Sequence, residues 1–135
     1  MADILILETT FLIDLEREVA RRKEGPAHRF LERHSDARFC IDHTIAGELA
    51  AGPRTEDRAR WEAFIRPFRI LDRSRDVCWQ YGRLYQYLRV NGNLIGTNDL
   101  WIAATALAYG LPLVTHNIEH FQRAPGLTVV AYRDE

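Results

Sequence analysis

The sequence predicts an α/β protein, a three-layer α/β/α sandwich around a central parallel sheet, and three observations carry that prediction. The first is Ile4-Leu5-Ile6-Leu7, four apolar residues in a row with no polar face. Such a run reads as a strand buried on both sides, and those strands belong mostly to parallel sheets covered by helices. The second is that apolar runs alternate with helical patterns along the chain, the order of successive βαβ units. The third is composition. At 135 residues, 47% hydrophobic and 27% charged, the chain suits one globular domain over residues 1–135, and it shows no linker, repeat or low-complexity segment.

Taken in order, the first strand gives way to a helix from Phe11 to about Arg22, with Phe11, Leu12, Leu15 and Val19 as its apolar stripe and Thr10 as its cap. Gly25-Pro26 breaks that pattern, and Pro26 opens a helix through Phe30 and Leu31 to about His34. Arg38 to Ile41 is a second strand, and His43-Thr44 leads into a helix containing Ile45, Glu48 and Leu49 that Gly52-Pro53 stops. Thr55 to Phe64 is an amphipathic helix with Trp61, Phe64 and Ile65 on one side, and Phe68 to Leu71 is a short strand. Ser74 caps a long helix through Val77, Tyr81, Leu84, Tyr85 and Leu88, which Asn91-Gly92-Asn93 ends. Gly96-Thr97-Asn98 opens the helix Asp99 to Tyr109, and Gly110 supplies a left-handed stop. Pro112 to Thr115 and Leu127 to Ala131 are the last strands, separated by at most one helical turn at Ile118 to Phe121.

Composition also excludes classes. No apolar run approaches the roughly 18 residues of a membrane-spanning helix, and the start of the chain lacks the basic region of a secretory signal. Cys40 and Cys78 have no metal-type spacing and read as buried free thiols in a reducing cytoplasm. The net charge of -1 conceals an unusual choice: 17 of the 18 basic residues are arginine, with Arg17, Arg21 and Arg22 beside Lys23. Arginine suits bidentate phosphate contacts, although an ordinary solvated face accounts for such a cluster equally well. The aromatic residues Trp61, Trp79, Trp101, Tyr81, Tyr85 and Tyr87 suit core packing or a subunit interface better than base stacking, since most lie on helical stripes.

Three acids and an amide sit where chemistry is usually done, at the carboxyl ends of strands or the first turns of helices. Glu8 closes the first strand, Glu48 lies on the helix after the second, Asp99 starts a later helix, and Asn117 follows the strand ending at Thr115. Any one of them alone is commonly structural, Asp99 as a helix-start residue above all. Glu48 has less excuse among Ala46, Gly47, Leu49 and Ala50. Asp14 is a rival supporting acid, whereas Asp42, Asp57, Asp72 and Asp76 read as turn or exposed-face acids. Clustered carboxylates repel one another in a low dielectric, so a cation must join them. With hard oxygen donors, Mg²⁺ or Mn²⁺ fits better than zinc.

Four blocks carry a resemblance across nearly the whole chain: Ile6-Leu7-Glu8-Thr9-Thr10-Phe11-Leu12-Ile13-Asp14, Thr44-Ile45-Ala46-Gly47-Glu48-Leu49, Ile95-Gly96-Thr97-Asn98-Asp99-Leu100-Trp101-Ile102-Ala103-Ala104-Thr105-Ala106, and Pro112 to Phe121 followed by Pro125-Gly126-Leu127. In that order they resemble a PIN-domain ribonuclease of the VapC toxin type, from a type II toxin–antitoxin system. The resemblance implies a PIN-like fold and an acidic, Mg²⁺-dependent site (Mn²⁺ as the alternative) that hydrolyses RNA phosphodiester bonds. It assigns Glu8, Glu48 and Asp99 as metal ligands, Asn117 as a neutral ligand or its hydrogen-bond partner, and Thr9, with Thr115 behind it, as hydroxyl support. It also implies a homodimer in the cytoplasm, neutralised by a VapB-type antitoxin.

One departure is plain: the family pattern has aspartate where this chain has Glu8. The extra methylene pushes the carboxylate about one bond length outward, and Mg²⁺ tolerates little error at about 2.0–2.1 Å. A shifted metal, water-mediated binding or weakened turnover are the three outcomes that follow. Glu8 also defines the alternative reading, a PIN-like domain without catalysis that serves as a binding or regulatory module. His116-Asn117-Ile118-Glu119-His120 matches the H-x-x-E-H pattern of a class of zinc proteases, but that site needs a substantial helix where a strand ends and Pro125-Gly126 follows. His116 and His120 are read instead as loop residues near substrate.

Overall fold

A computed structural model describes residues 3–52 and 57–133. In chain order its elements are β1 (Ile4–Leu7), α1 (Thr9–Arg21), α2 (Pro26–Arg33), β2 (Arg38–Asp42), α3 (His43–Ala50), α4 (Arg58–Ile65), β3 (Arg69–Leu71), α5 (Arg75–Val90), α6 (Thr97–Tyr109), β4 (Leu113–Val114), α7 (Ile118–Phe121) and β5 (Val129–Val130). The strands form one all-parallel sheet in the order β3-β2-β1-β4-β5. Leu5, Ile6 and Leu7 are all buried, although successive side chains of a strand point to opposite faces. Both faces of β1 are therefore covered by helices, and the predicted α/β/α arrangement holds. Leu113 and Val114, with none of their surface exposed, repeat that pattern in β4.

The strand order places the site. The chain steps from β1 outward to β2 and β3, then returns through α5 and α6 to lay β4 on the other side of β1. The crevice beyond the carboxyl ends of β1 and β4 is thus the switch point, where open α/β sheets bind ligands. Register fixes which residues meet there: Leu7 is level with Val114, and the Glu8 amide donates to the Val114 carbonyl at 2.9 Å. Glu8 and Thr115 consequently leave the sheet side by side.

The core is built on Phe11 of α1. Its ring meets those of Phe30 at 5.6 Å and Tyr132 at 4.7 Å, both edge-on, which ties α1 to α2 and to the segment after β5. α6 is buried around most of its circumference, from Leu100 through Ala106, with α5 packed along it through Val77, Leu84 and Leu88. At Gly110 the backbone turns left-handed (φ 65), and the Leu111 amide closes back on the Ala106 carbonyl at 3.0 Å, so the predicted stop holds for the predicted reason.

Several expectations are corrected. Thr10 is not the cap of α1. Glu8 occupies that position, and Thr10 lies in the first turn with its hydroxyl turned toward the site. Val19 is 57% exposed and leaves the predicted stripe, because α1 ends shortly beyond where its neighbours cover it. Asp42 is a buried acid, 2% exposed, that caps α3 through the Ile45 amide at 2.8 Å and accepts from the Thr105 hydroxyl at 3.0 Å. Its position at the last residue of β2 carries it inward rather than onto a turn, and burial pushes its carboxyl up from the ordinary value. Cys78 is exposed, only Cys40 being buried. Trp79 and Tyr87 face solvent, while Trp61, Tyr81 and Trp101 are half-buried. α4 begins at Arg58, capped by Asp57, so the predicted start at Thr55 and the Pro53 half of the preceding stop lie outside the described residues.

Candidate active site

The site is assembled from four segments. After β1 come Glu8, Thr9 and Thr10; α3 brings Glu48, the start of α6 brings Asn98 and Asp99, and the β4–α7 junction brings Thr115, Asn117 and His120. Glu8 is 4% exposed. Its Oε1 accepts from the Thr10 hydroxyl at 2.7 Å and from the Thr115 hydroxyl at 2.5 Å. Both hydroxyls are themselves held, since Thr10 Oγ1 accepts from the His116 amide at 3.0 Å and Thr115 Oγ1 from the Asn117 amide at 2.9 Å. With those amides occupying one lone pair each, the two hydroxyl protons are left to aim at the carboxylate.

Burial pushes the Glu8 carboxyl above its ordinary value. The hydroxyls of Thr115 and Thr10 work against that rise, and the negative charge of Asp99 adds to it. Among the described residues no lysine, arginine or histidine pairs with Glu8. A buried carboxylate facing a second acid, with hydrogen bonds that favour its charged form, is a site short of positive charge.

The other predicted residues form two branches. Glu48 is half-buried and receives the Thr9 hydroxyl at 2.6 Å on Oε1 and the Asn98 amide at 3.4 Å on Oε2. Asp99 Oδ2 stands 3.4 Å from His120 Nδ1, which lies 3.0 Å from Asn117 Nδ2. A continuous run of polar contacts therefore passes from Glu8 through Thr115, Asn117 and His120 to Asp99. Asp14 belongs elsewhere: it accepts from the Tyr132 hydroxyl at 2.6 Å.

The predicted five thus fall into two groups of polar contacts, Thr9 with Glu48, and Glu8 with Asn117 and Asp99 by way of Thr115 and His120. Sequence reasoning missed Thr10, read as a cap, and Asn98, read as part of a helix opening. It placed His120 in a loop, whereas His120 lies in the single turn of α7 and joins Asp99 to Asn117. Their signal was adjacency in the chain to the predicted residues. Of the zinc-protease pattern over residues 116–120 only the last three fall on this four-residue helix, and His116 lies before it, so the two histidines are not one turn apart on a helical face.

As to a metal, the donor chemistry fits a hard cation, since every oxygen offered is a carboxylate, amide or hydroxyl. Among the described residues no three His, Cys, Asp or Glu side chains stand close enough to grip one ion together. The acids whose charges act on each other are Glu8 and Asp99, while Glu48 is turned toward Thr9 and Asn98. Mg²⁺ characteristically keeps several waters and takes only one or two carboxylates.

A parallel α/β sheet with a buried carboxylate and further acids at its switch point defines an acidic-site α/β protein. The family model described as "PIN domain" matches residues 5–127, and the chain belongs to that family. It is 41% identical over 131 residues to Ribonuclease VapC1 of Haemophilus influenzae (strain R2866), which covers 92% of this chain and 94% of that one. Among solved structures it is similar to VapBC-1 from nontypeable Haemophilus influenzae, with TM-score 0.78 and 28% identity over 96% of this chain and 98% of that one. It is likewise similar to VapBC2 from Rickettsia felis bound to a DNA fragment from their promoter, with TM-score 0.79 and 25% identity over 96% and 99% of the two chains.

Proposed function

We propose that this protein is a metal-dependent endoribonuclease of the VapC type, a toxin held in check by a VapB-type antitoxin. The observation that carries the reading is the buried Glu8 beside Asp99, braced by two aimed hydroxyls and without a basic partner among the described residues. Its support from likeness is the relative named a ribonuclease, similar over almost the whole chain. The VapBC structures support an antitoxin partner in the same way. A homodimer acting in the cytoplasm completes the proposal, and no helix among the described residues is long and apolar enough to cross a membrane.

The chain's own groups have distinct tasks. Glu8 and Asp99 would hold Mg²⁺ or Mn²⁺, with Glu48 acting directly or through water. When bound, the ion supplies a more acidic water as nucleophile and stabilises the leaving oxygen of the phosphodiester. Thr10 and Thr115 keep the Glu8 carboxylate in one orientation. Thr9 does the same for Glu48, and His120, in the form that carries its proton on Nδ1, donates to Asp99. No side chain forms a covalent intermediate: the phosphorus–oxygen bond breaks as a water oxygen attaches. The non-catalytic alternative has nothing in the structure to favour it, since a binding module has no use for two aligned hydroxyls on a buried acid.

The deciding experiment is cleavage of a panel of structured RNAs with Mg²⁺, Mn²⁺ or EDTA. Metal-dependent cutting that Asp99→Ala abolishes is the expected result. Absence of cutting by the unaltered protein on every RNA, or cutting that survives Asp99→Ala, would refute the reading.

A further inference from the structure

Beyond Glu48 the crevice opens into a cleft of about 460 Å³, walled by α3, the start of α6 and the segment after β3. Its lining includes Thr44, Gly47, Glu48, Arg73, Asn98 and Trp101. Arg73 is exposed but not free to wander. Its Cζ stands 4.1 Å from the centroid of the Trp101 ring, and its Nη2 donates to the Thr44 hydroxyl. Tyr81 stacks on Trp101 as well, at 3.9 Å and 22° between planes. Two groups at that height cannot share one face of an indole, so Trp101 is sandwiched between Tyr81 and the guanidinium. A surface arginine is seldom fixed in this way; here an aromatic base and a hydroxyl hold the plane of the fork, which saves entropy when it binds.

We infer that Arg73 forms a phosphate subsite for the RNA strand, gripping a backbone phosphate next to the one cut at Glu8 and Asp99. The inference rests on the ribonuclease reading and gives that site its strand-binding arm. The Thr44 contact uses one of five guanidinium N–H groups, and the others are left to make bidentate bonds to phosphate oxygens. Gly47 keeps the wall between Arg73 and Glu48 low: a Cβ built there meets nothing within 4 Å, so a strand can lie against the α3 backbone. The amide of Asn98 and the hydroxyl of Thr44 add neutral polar edges along the same path. Arg73 thereby places a permanent cation in the cleft's lining, beside Glu48, which suits an anionic polymer whose next phosphate enters the acids. Because the contact is to phosphate, it positions the strand and carries no sequence preference.

The test is binding of a short, labelled, mixed-sequence RNA oligonucleotide to the full chain, made cleavage-deficient by Asp99→Ala, over a sodium chloride series. Adding Arg73→Gln is expected to weaken binding about tenfold and to make the salt dependence shallower by about one counterion. Arg73→Lys, which keeps charge but not the planar fork, should keep the salt slope and lose only part of the affinity. Circular dichroism of each variant checks that this exposed position leaves the fold intact. Equal affinity and equal slope for Arg73→Gln overturn the inference, as does failure of the parent to bind the oligonucleotide. Cleavage by the chain with Asp99 restored is scored separately: RNA held through Arg73 but never cut leaves the subsite standing and removes the nuclease.

Discussion

Glu8→Gln should make the protein more stable while silencing it. The carboxylate is 4% exposed, faces Asp99 and meets no basic partner among the described residues, so its charge costs more than its two hydroxyl donors return. A glutamine keeps the Oε1 acceptor for Thr10 and Thr115 and loses the charge. Each of those bonds weakens from charge-assisted to neutral by about 1 kcal/mol, while the cost of burying the charge and the repulsion from Asp99 disappear. Because the carboxyl stands above its ordinary value despite the hydroxyls, the second effect is the larger, and the net gain is about 1–2 kcal/mol. In a domain this size that corresponds to roughly 3–8 °C in Tm. The pH dependence has a definite direction. A carboxyl raised above 4.5 in the folded state holds a proton that the unfolded chain has already released. Wild-type stability is therefore complete below pH 4.5 and drains as pH rises through the folded-state value, whereas glutamine does not titrate. Urea denaturation in EDTA at pH 5 and pH 8 should show a gap that widens toward pH 8. A gap of zero at pH 8, a gap of opposite sign, or one unchanged between the two would refute the reasoning.

The shorter Glu8→Asp variant, which restores the family residue, should raise turnover by drawing the carboxylate back by about one bond length; an equal or lower rate in the RNA cleavage assay would show that Glu8 does not attenuate the site. Asp42→Ala removes the cap of α3 and should cost about 1–2 kcal/mol in chemical denaturation, with cleavage reduced as well because α3 carries Glu48. Glu18 offers the opposite pH signature from Glu8. Burial tends to raise it, but bonds from the His28 amide and ring and from the Ala27 and Gly25 amides outweigh that and hold it below its ordinary value. Its stabilisation is present above pH 4.5 and lost as pH falls through the folded-state value, so Glu18→Gln should lose about 1–2 kcal/mol at pH 7 and converge with wild type in acid.

How much was legible in advance depended on whether the cause was local. β1 could be read because four apolar residues admit almost no other place in an α/β protein, and Gly110 because a left-handed turn needs what glycine has. Glu8, Glu48, Asp99 and Asn117 could be placed by their positions at strand and helix ends, and their order matched a family pattern. Asp42 could not. An aspartate just after a strand looks the same whether it caps a helix in the interior or decorates a turn, and only Thr105, contributed by α6, decides between them. Thr10 was misjudged for a related reason. Its local sequence suits a cap, and the competing partners, Glu8 and the His116 amide, include one that lies more than a hundred residues away. His120 was read as a loop residue because its contact with Asp99 spans 21 positions and leaves no local mark in the sequence.

The level placement of Leu7 and Val114 has a consequence in time. Glu8 is made well before its partner hydroxyl on Thr115, which follows 107 positions later, and Asn117 and His120 come later still. A growing chain can form α1, α2 and the β1–β2–β3 half of the sheet from neighbours in sequence, but it has no crevice until β4 slides in beside β1. Every intermediate short of that point lacks Thr115, Asn117 and His120 beside Glu8 and Asp99. For a protein read as cutting RNA, and made by a machine built of RNA, assembly itself acts as a safety catch.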